Sequence, residues 1–185
     1  RIEVVKCGIS VDAFPPGEAA EKEDRLILSV GRLHYHKAYH HLIDACRILM
    51  DRGTAFRCWI IGDGELREDL QSRIDGHGLG DRVVLLGMKS NEEVAEYLRK
   101  AQVFALSSEV EIVPIVFMEA MASQLPVVAT AVGGVPELVE DGVTGVLVEP
   151  GRPEALARAM AELAGNAGRR RAMGCAARAR AARFG

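Results

Sequence analysis

A regular alternation of short apolar runs and longer segments with helical periodicity is the feature that most constrains the fold of this chain. The apolar runs are continuous, which is typical of parallel strands that are covered on both faces. Right-handed crossovers between such strands build a doubly wound, Rossmann-like α/β sheet, mostly parallel. We predict one such domain over residues 1–185. Its strands are expected at 4–8, 26–30, 56–61, 83–86, 103–106, 127–129 and 145–148, and its main helices at 40–51, 66–74, 92–100, 114–123 and 153–163.

The two ends of the chain depart from this alternation. Residues 18–25 are mostly charged and follow a Pro-Pro-Gly turn, so they are predicted to form a loop. Residues 169–185 are rich in Arg and Ala and are predicted to form a terminal helix. Because the chain begins with Arg1 and stops directly after this helix, we expect it to be a piece of a longer protein.

Composition narrows the class of protein. The net charge of −3 gives no electrostatic basis for binding nucleic acid. The four cysteines lie far apart and form no CxxC pair, which is typical of reduced thiols in a cytoplasmic protein. No signal peptide and no apolar run long enough to span a bilayer is visible.

Two acidic residues stand out near the predicted strand 127–129. Glu111 lies in a loop, and Glu119 follows eight residues later in a helix that Pro114 is expected to begin. Ligands of doubly wound sheets bind beyond the carboxyl ends of the strands, where this loop and helix are expected. Two carboxylates held there would grip a polyhydroxyl ligand at two places.

Positive charge is expected at the same edge of the sheet. Gly31 and Arg32 follow the strand 26–30, and Lys37 comes shortly after them. The guanidinium is a planar fork of donors and the ammonium a mobile point charge, so together they suit a diphosphate. Taken alone, the same residues would be ordinary loop cations.

Two further loops are expected beside them. Gly62 and Gly64 follow the strand 56–61 and would allow the backbone to approach a ligand closely, although a simple tight turn explains them equally well. Arg67 stands where a GxGxxG fingerprint needs its third glycine, and no Walker A sequence is present. Met88 follows the strand 83–86 and is placed to border a nucleobase.

These motifs together resemble the C-terminal, donor-binding half of the family-4 retaining glycosyltransferases of the GT-B fold. The resemblance is carried by four sequence elements: the pair Glu111 and Glu119 (E-x7-E), Gly31-Arg32 with Lys37, the segment 62–65 (GDGE) and the segment 133–137 (GGVPE). It extends over nearly the whole chain. The last segment is interpreted first as loop packing.

The resemblance implies a role for each matched residue. Glu119 would accept hydrogen bonds from the ribose, and Glu111 would contact the transferred sugar. Arg32 and Lys37 would stabilise the leaving diphosphate, so the expected catalytic residues are Arg32, Lys37 and Glu111. The expected donor-binding residues are Gly31, Gly62, Gly64, Met88, Val113, Pro114, Ile115 and Glu119.

The resemblance also implies partners. The donor would be a UDP-, GDP- or ADP-linked sugar, bound without a cofactor or a metal. The acceptor would bind to an N-terminal half that this chain lacks, and any contact with a membrane surface would be made there. Two alternatives stay open: a sugar-nucleotide epimerase of the GT-B fold, and a binding module without catalytic activity.

Three residues depart from the family pattern. Ala38, Ile112 and Gln124 stand where the family usually has glycine. If the backbone at Ala38 requires a positive φ, alanine strains it. Ile112 is expected to crowd the donor sugar. These changes bear on activity and donor affinity more than on the fold.

Histidines are concentrated near the first predicted helix, at His34, His36, His40 and His41. The H-x-H and H-H pairs invite a metal interpretation, but no cysteine or paired carboxylate lies near them in the sequence. We therefore predict solvated histidines and no metal.

Overall fold

The computed structural model describes residues 9–18, 21–112 and 115–184. These residues contain a parallel sheet whose six strands are β1 (Leu26–Val30), β2 (Arg57–Ile61), β3 (Val83–Gly87), β4 (Val103–Leu106), β5 (Val127–Thr130) and β6 (Gly145–Val148). Their spatial order is β3-β2-β1-β4-β5-β6, so the chain moves outward from β1 in one direction and then in the other. This order confirms the predicted doubly wound sheet.

Helices cover both faces of the sheet. The helices are α1 (Tyr39–Asp51), α2 (Arg67–Gly76), α3 (Asn91–Lys100), α4 (Ile115–Ala122), α5 (Val135–Leu138), α6 (Pro153–Gly165) and α7 (Ala167–Ala181). Helix α1 packs against α2 and α6, while α4 packs against α3 and α7. The two layers bury every residue of β4 and β5 and all of β1 except its last residue, Val30.

Apolar packing beneath α4 anchors the helix that carries Glu119. Phe117 on α4 meets Phe104 on β4 edge to face, with ring centroids 5.5 Å apart. Both side chains are almost fully buried. Burying one such ring contributes about 1.5–3 kcal/mol, so this contact fixes α4 on the central strand.

The six predicted strands that lie within the described residues are confirmed within one residue at each boundary, and the described boundaries of the main helices within two. β2 begins at Arg57, one residue later than predicted, and Phe56 lies just before it. Helix α3 begins at Asn91, where Ser90 and Glu93 form a reciprocal capping box. The predicted strand 4–8 and the predicted helix start at Pro114 lie outside the described residues. Residues 18–25 were predicted to form a loop. Within the described part of this segment at 21–25, the chain forms only a 3-10 turn and a further turn before β1 begins.

The terminal helix packs within this chain. Helix α7 begins two residues earlier than predicted and ends at Ala181. The Arg178 guanidinium donates to the carbonyl oxygens of Phe14 and Ala122, and Arg180 donates to those of Glu137 and Leu138. These two arginines therefore hold backbone groups of neighbouring elements instead of forming only a solvated face. A further contact with another domain stays a prediction.

The described cysteines are free thiols, with Cys46 and Cys58 buried and Cys175 exposed. A hydrogen bond with Cys58, together with burial, raises the pKa of Cys46. Among the described helices, none is both long enough and apolar enough to cross a membrane.

Candidate functional site

The candidate site lies where β1 and β4 are neighbours in the sheet. These strands lead into helices on opposite faces, so the loops that follow them diverge and leave a crevice. The β1–α1 loop carries Gly31, Arg32 and Lys37, and the β4–α4 loop carries Glu111. The predicted cationic and acidic residues therefore meet at one edge of the sheet.

The β1–α1 loop is held by its backbone. The Gly31 amide donates to the carbonyl oxygen of Ile61 at 2.9 Å. A 3-10 turn covers Tyr35–Lys37, and Ala38 follows it in the left-handed conformation with φ 46° and ψ 42°. The Ser107 hydroxyl donates to the Ala38 carbonyl oxygen at 2.9 Å. The loop after β4 thus fixes the backbone that presents Lys37.

An ion pair joins the two loops. The Lys37 ammonium donates to Oε1 of Glu111, and the Ser108 hydroxyl donates to the same oxygen at 2.7 Å. Thr130 at the end of β5 donates to the carbonyl oxygen of Ser108. Glu111 is 9% exposed, so its carboxylate is buried. Its Oε1 accepts both hydrogen bonds, from Lys37 and from Ser108. No described side chain or amide donates to Oε2.

A glycine pair shapes the loop that carries Glu111. Gly133 has φ +50°, and a Cβ there would overlap the carbonyl oxygen of Glu111. Gly134 faces the carbonyl oxygen of Ile112 in the same way. The pair therefore lets the β5–α5 turn pack directly on the Glu111 backbone, in agreement with the sequence-based interpretation of this motif as loop packing.

Gly62 and Gly64 serve a similar purpose beside the β1–α1 loop. A Cβ on Gly62 would overlap the carbonyl oxygen of Gly31, and one on Gly64 would overlap that of Leu33. Leu33 in turn donates its amide to the Asp63 carbonyl oxygen at 2.9 Å. In the structure these glycines allow two loops to approach each other, and neither glycine lines the clefts described next.

Glu119, the fifth residue of α4, points into an open cleft of about 360 Å³. Its side chain is half-buried and takes no hydrogen bond from any group in the described chain. Burial raises the pKa of this carboxyl. The cleft is lined by Val30, Gly31, Arg32, Lys37, Asn91, Val94, Glu111, Ile115, Val116 and Glu119.

A second open cleft, of about 470 Å³, lies on the other side of Lys37. It shares Arg32, Lys37 and Glu111 with the first cleft. Its remaining lining residues are His34, His36, Val110 and Ile112. Ile112 is 83% exposed, so its side chain projects into the mouth of this cleft. The residues common to both clefts are the three that were predicted to be catalytic.

Arg32 keeps its guanidinium in solvent. Its nearest acidic partner is Glu65, with Nη2 and Oε2 3.9 Å apart, and the Arg32 side chain is 74% exposed. His34 Nε2 lies 3.3 Å from the other oxygen of Glu65. An exposed pair at this distance contributes little to stability, so Arg32 is available for an anion.

The structure does not bring every predicted residue together. Met88 is 71% exposed and lines neither cleft. Val113 and Pro114 lie outside the described residues. Ile115, the first residue of α4, lines the cleft with Glu119.

Ser107 and Ser108 are the functional residues that sequence reasoning missed. Ser107 bonds to the Ala38 carbonyl oxygen, whose residue lies far away in sequence, whereas Ser108 bonds to the nearby Glu111 side chain and is tied to β5 through Thr130. The only signal was two adjacent polar residues directly after a fully apolar strand. Asn91 and Val94, on the first turn of α3, were also not anticipated as lining residues.

The histidines separate into two groups. His34 and His36 lie at the cleft, while His40 and His41 open α1 beside Glu109. Burial lowers the pKa of His40, and the nearby His41 and Arg73 lower it further.

Comparison with known proteins supports an assignment at the level of the family. A family model described as glycosyl transferases group 1 matches residues 10–180. The amylovoran biosynthesis glycosyltransferase AmsK of Erwinia amylovora is 39% identical over 170 residues. That alignment covers 88% of this chain and 42% of AmsK, so the chain spans less than half the length of this relative.

Solved structures share the fold. Anabaena Alr3699/HepE, in complex with UDP and glucose, has a TM-score of 0.87 at 24% identity, over 96% of this chain and 51% of HepE. The C-terminal domain of the group 1 protein LpcC from Francisella tularensis has a TM-score of 0.84 at 20% identity, over 95% of this chain and 97% of that domain. The chain thus has the fold of the C-terminal half of a GT-B protein.

Proposed function

The chain belongs to the glycosyl transferases group 1 family, and from that premise we propose that it binds the nucleotide-diphosphate sugar donor of a retaining glycosyltransferase. The observation that carries the proposal is the meeting of Lys37, Glu111 and Glu119 in one cleft at the junction of β1 and β4. AmsK is named for amylovoran biosynthesis, which favours a role in the assembly of a polysaccharide or glycoconjugate.

The diphosphate is placed between the two cations. Arg32 offers an exposed planar fork, and the Lys37 ammonium has two hydrogens left after its bond to Glu111. The amides at the start of α4 add a partial positive charge. Charge that develops on the leaving diphosphate is stabilised most by groups that are already in position. We therefore expect transfer without a metal in the donor site.

The ribose is assigned to Glu119. The Glu119 carboxylate is half-buried, so it has lost part of its hydration, and no described group of the chain donates a hydrogen bond to replace it. This loss of hydration raises its pKa. Two neighbouring hydroxyl groups would satisfy both of its oxygens. Every nucleoside diphosphate carries such a pair, so this contact would serve UDP, GDP and ADP alike.

The transferred sugar is assigned to Glu111. Lys37 and Ser108 occupy Oε1, which leaves Oε2 to accept from a sugar hydroxyl. Ile112 borders the same region, so its side chain would restrict the size of the sugar.

Calorimetric titration of two single variants tests these assignments. A panel of UDP, GDP and ADP first identifies the nucleotide, and the matching sugar nucleotide is then used. Glu119→Ala should weaken both ligands by about 1–3 kcal/mol, the usual cost of stranded hydrogen-bond partners. Glu111→Ala should spare the bare diphosphate and weaken only the sugar nucleotide.

Glu68→Ala is the matched control, because Glu68 is an exposed carboxylate on α2, away from both clefts. It should bind both ligands as the unchanged chain does. Negligible effects from both Glu111→Ala and Glu119→Ala would leave the two carboxylates without a part in donor binding and remove the basis of the proposal.

A further inference from the structure

Two histidines and a glutamate meet at the start of α1, beside the clefts. The ligand atoms of His40, His41 and Glu109 lie within 4.8 Å of one another. His41 Nε2 is 3.5 Å from Oε1 of Glu109. The two imidazole rings lie against each other with centroids 4.0 Å apart.

These three groups have the chemistry of a metal site. Imidazole nitrogens and a carboxylate oxygen are common ligands of zinc, and three protein ligands leave one position open. Bonds of about 2.0–2.2 Å in a tetrahedron place neighbouring ligand atoms about 3.3–3.6 Å apart. The contact between His41 and Glu109, at 3.5 Å, already has this spacing. Rotation of the His40 ring and of the half-exposed Glu109 side chain would bring the remaining ligand atoms, which lie within 4.8 Å, to the same spacing.

The backbone holds the ligands in place from both sides. The Glu109 amide donates to the carbonyl oxygen of His36 at 2.8 Å. Ser107 donates to the carbonyl oxygen of Ala38, directly before α1. The loop after β4 and the first turn of α1 are thus joined on either side of the cluster, so binding an ion requires little ordering of the backbone.

We propose that His40, His41 and Glu109 bind one divalent transition-metal ion such as Zn²⁺. None of the three lines either cleft, so the ion would not touch the donor. It would instead tie α1 to the loop two residues before Glu111 and stabilise that loop. Sequence reasoning argued against a metal because it found no cysteine or paired carboxylate near the histidines in the chain, and folding supplies a carboxylate from the loop after β4.

Titration of Zn²⁺ into chelator-treated protein tests the site. Cys175 is exposed and would bind zinc on its own, so every protein carries Cys175→Ser and no affinity tag. The expected result is one ion per chain with a dissociation constant in the micromolar range or below. His41→Gln and Glu109→Gln should each weaken binding at least tenfold.

His36→Gln is the matched control. It removes a histidine of the same segment that does not belong to the cluster, and it should leave zinc affinity unchanged. Zinc should also raise the melting temperature of the Cys175→Ser protein and of the His36→Gln control, but not that of Glu109→Gln, an exposed change that leaves the fold intact.

Three results would overturn the proposal. Heat no greater than that of dilution would mean that no site exists. Equal affinity in Glu109→Gln and the unchanged cluster would mean that zinc binds only adventitiously. Loss of binding in His36→Gln with retention in His41→Gln would move the site to the His34 and His36 pair, and the cluster at α1 would then be an ion pair beside a stacked histidine.

Discussion

Burial raises the pKa of Glu119, whereas Glu111 shares one oxygen with Lys37 and Ser108. The two carboxylates therefore have opposite effects on the free energy of unfolding. An ionised Glu119 costs free energy in the unliganded protein, because no described group replaces its water. The ion pair between Glu111 and Lys37 stabilises the protein, because removal of the carboxylate would strand a half-buried ammonium.

Glu119→Gln should stabilise the unliganded protein at pH 7. A carboxyl whose folded pKa is raised binds its proton more tightly when folded, so its cost is absent at acid pH and complete above the folded pKa. The gain should therefore vanish below about pH 4, near the ordinary value of a glutamate. Urea denaturation of both proteins at several pH values measures it.

Glu111→Gln gives the opposite sign and serves as the comparison. It should lower the free energy of unfolding at pH 7 by about 1–3 kcal/mol, because Lys37 loses its charged partner. If Glu119→Gln were destabilising at pH 7, an internal donor to Glu119 would have to exist.

The backbone conformation of single residues also lowers the free energy of unfolding. Ala38 and Gln124 have positive φ, +46° and +60°, and both stand where family members usually have glycine. The sequence analysis made strain at Ala38 conditional on a positive φ, and the structure has that φ. Ile112 does not have a positive φ. Replacing glycine at this position therefore affects the space available in the cleft and does not strain the backbone.

Gln124→Gly should raise the free energy of unfolding. A left-handed conformation costs a non-glycine residue about 1–2 kcal/mol, and the greater freedom of glycine in the unfolded chain offsets part of this gain. We expect a net stabilisation of about 0.5–1 kcal/mol in urea denaturation.

Gln71→Gly is the matched control, because Gln71 is an exposed residue inside α2. The same substitution there should destabilise by about 1 kcal/mol, the usual cost of glycine within a helix. Equal effects at the two positions would mean that the backbone at Gln124 is not strained.

At the scale of elements, α7 packs closely on the turn after α4. Gly174 lies on the face of α7 that meets this turn, and a Cβ there would overlap the carbonyl oxygen of Gln124. The Arg- and Ala-rich sequence predicted the helix itself, and Met173 and Ala177 lie on its buried face. That sequence did not reveal which helix would cover that face, since this depends on contacts far apart in sequence.

Gly174→Ala should loosen α7. The added methyl group meets backbone, which cannot rotate away, so we expect a loss of about 1–3 kcal/mol in the free energy of unfolding. Gly168→Ala is the control in the same helix, because its nearest neighbour is the Asn166 side chain at 3.6 Å. It should be neutral or stabilising. A neutral Gly174→Ala would mean that α7 is not packed this closely.

At the scale of the whole molecule, the order of the strands in the sheet determines which loops lie next to each other. The alternation of apolar and periodic segments predicted a doubly wound sheet, and the family pattern predicted which loops would face the crevice. The link from Ser107 to Ala38, and the position of Glu109 beside two histidines, come from bringing the β1 and β4 loops together. No local pattern encodes such contacts, because each half is an ordinary loop until the other arrives.

The charge in the crevice leads to the last prediction. Arg32 and Lys37 are the cations that line both clefts, and the roles proposed for Glu111 and Glu119 leave no paired set of carboxylates for a donor-site metal. A nucleoside diphosphate should therefore bind equally, within about twofold, in excess chelator and in millimolar Mg²⁺. The twofold band is far below the roughly tenfold change that 1.4 kcal/mol represents.

The same titration in Arg32→Ala and Lys37→Ala supplies the control. Each should weaken binding in both conditions by about 1–3 kcal/mol, because charge-assisted hydrogen bonds to the diphosphate are lost. Arg47→Ala, which removes an exposed arginine of α1 paired with Asp51, should leave binding unchanged. Binding that disappears in chelator while Arg32→Ala and Lys37→Ala behave normally would assign the diphosphate to a metal ion. The two cations would then be loop residues of a different kind of donor site.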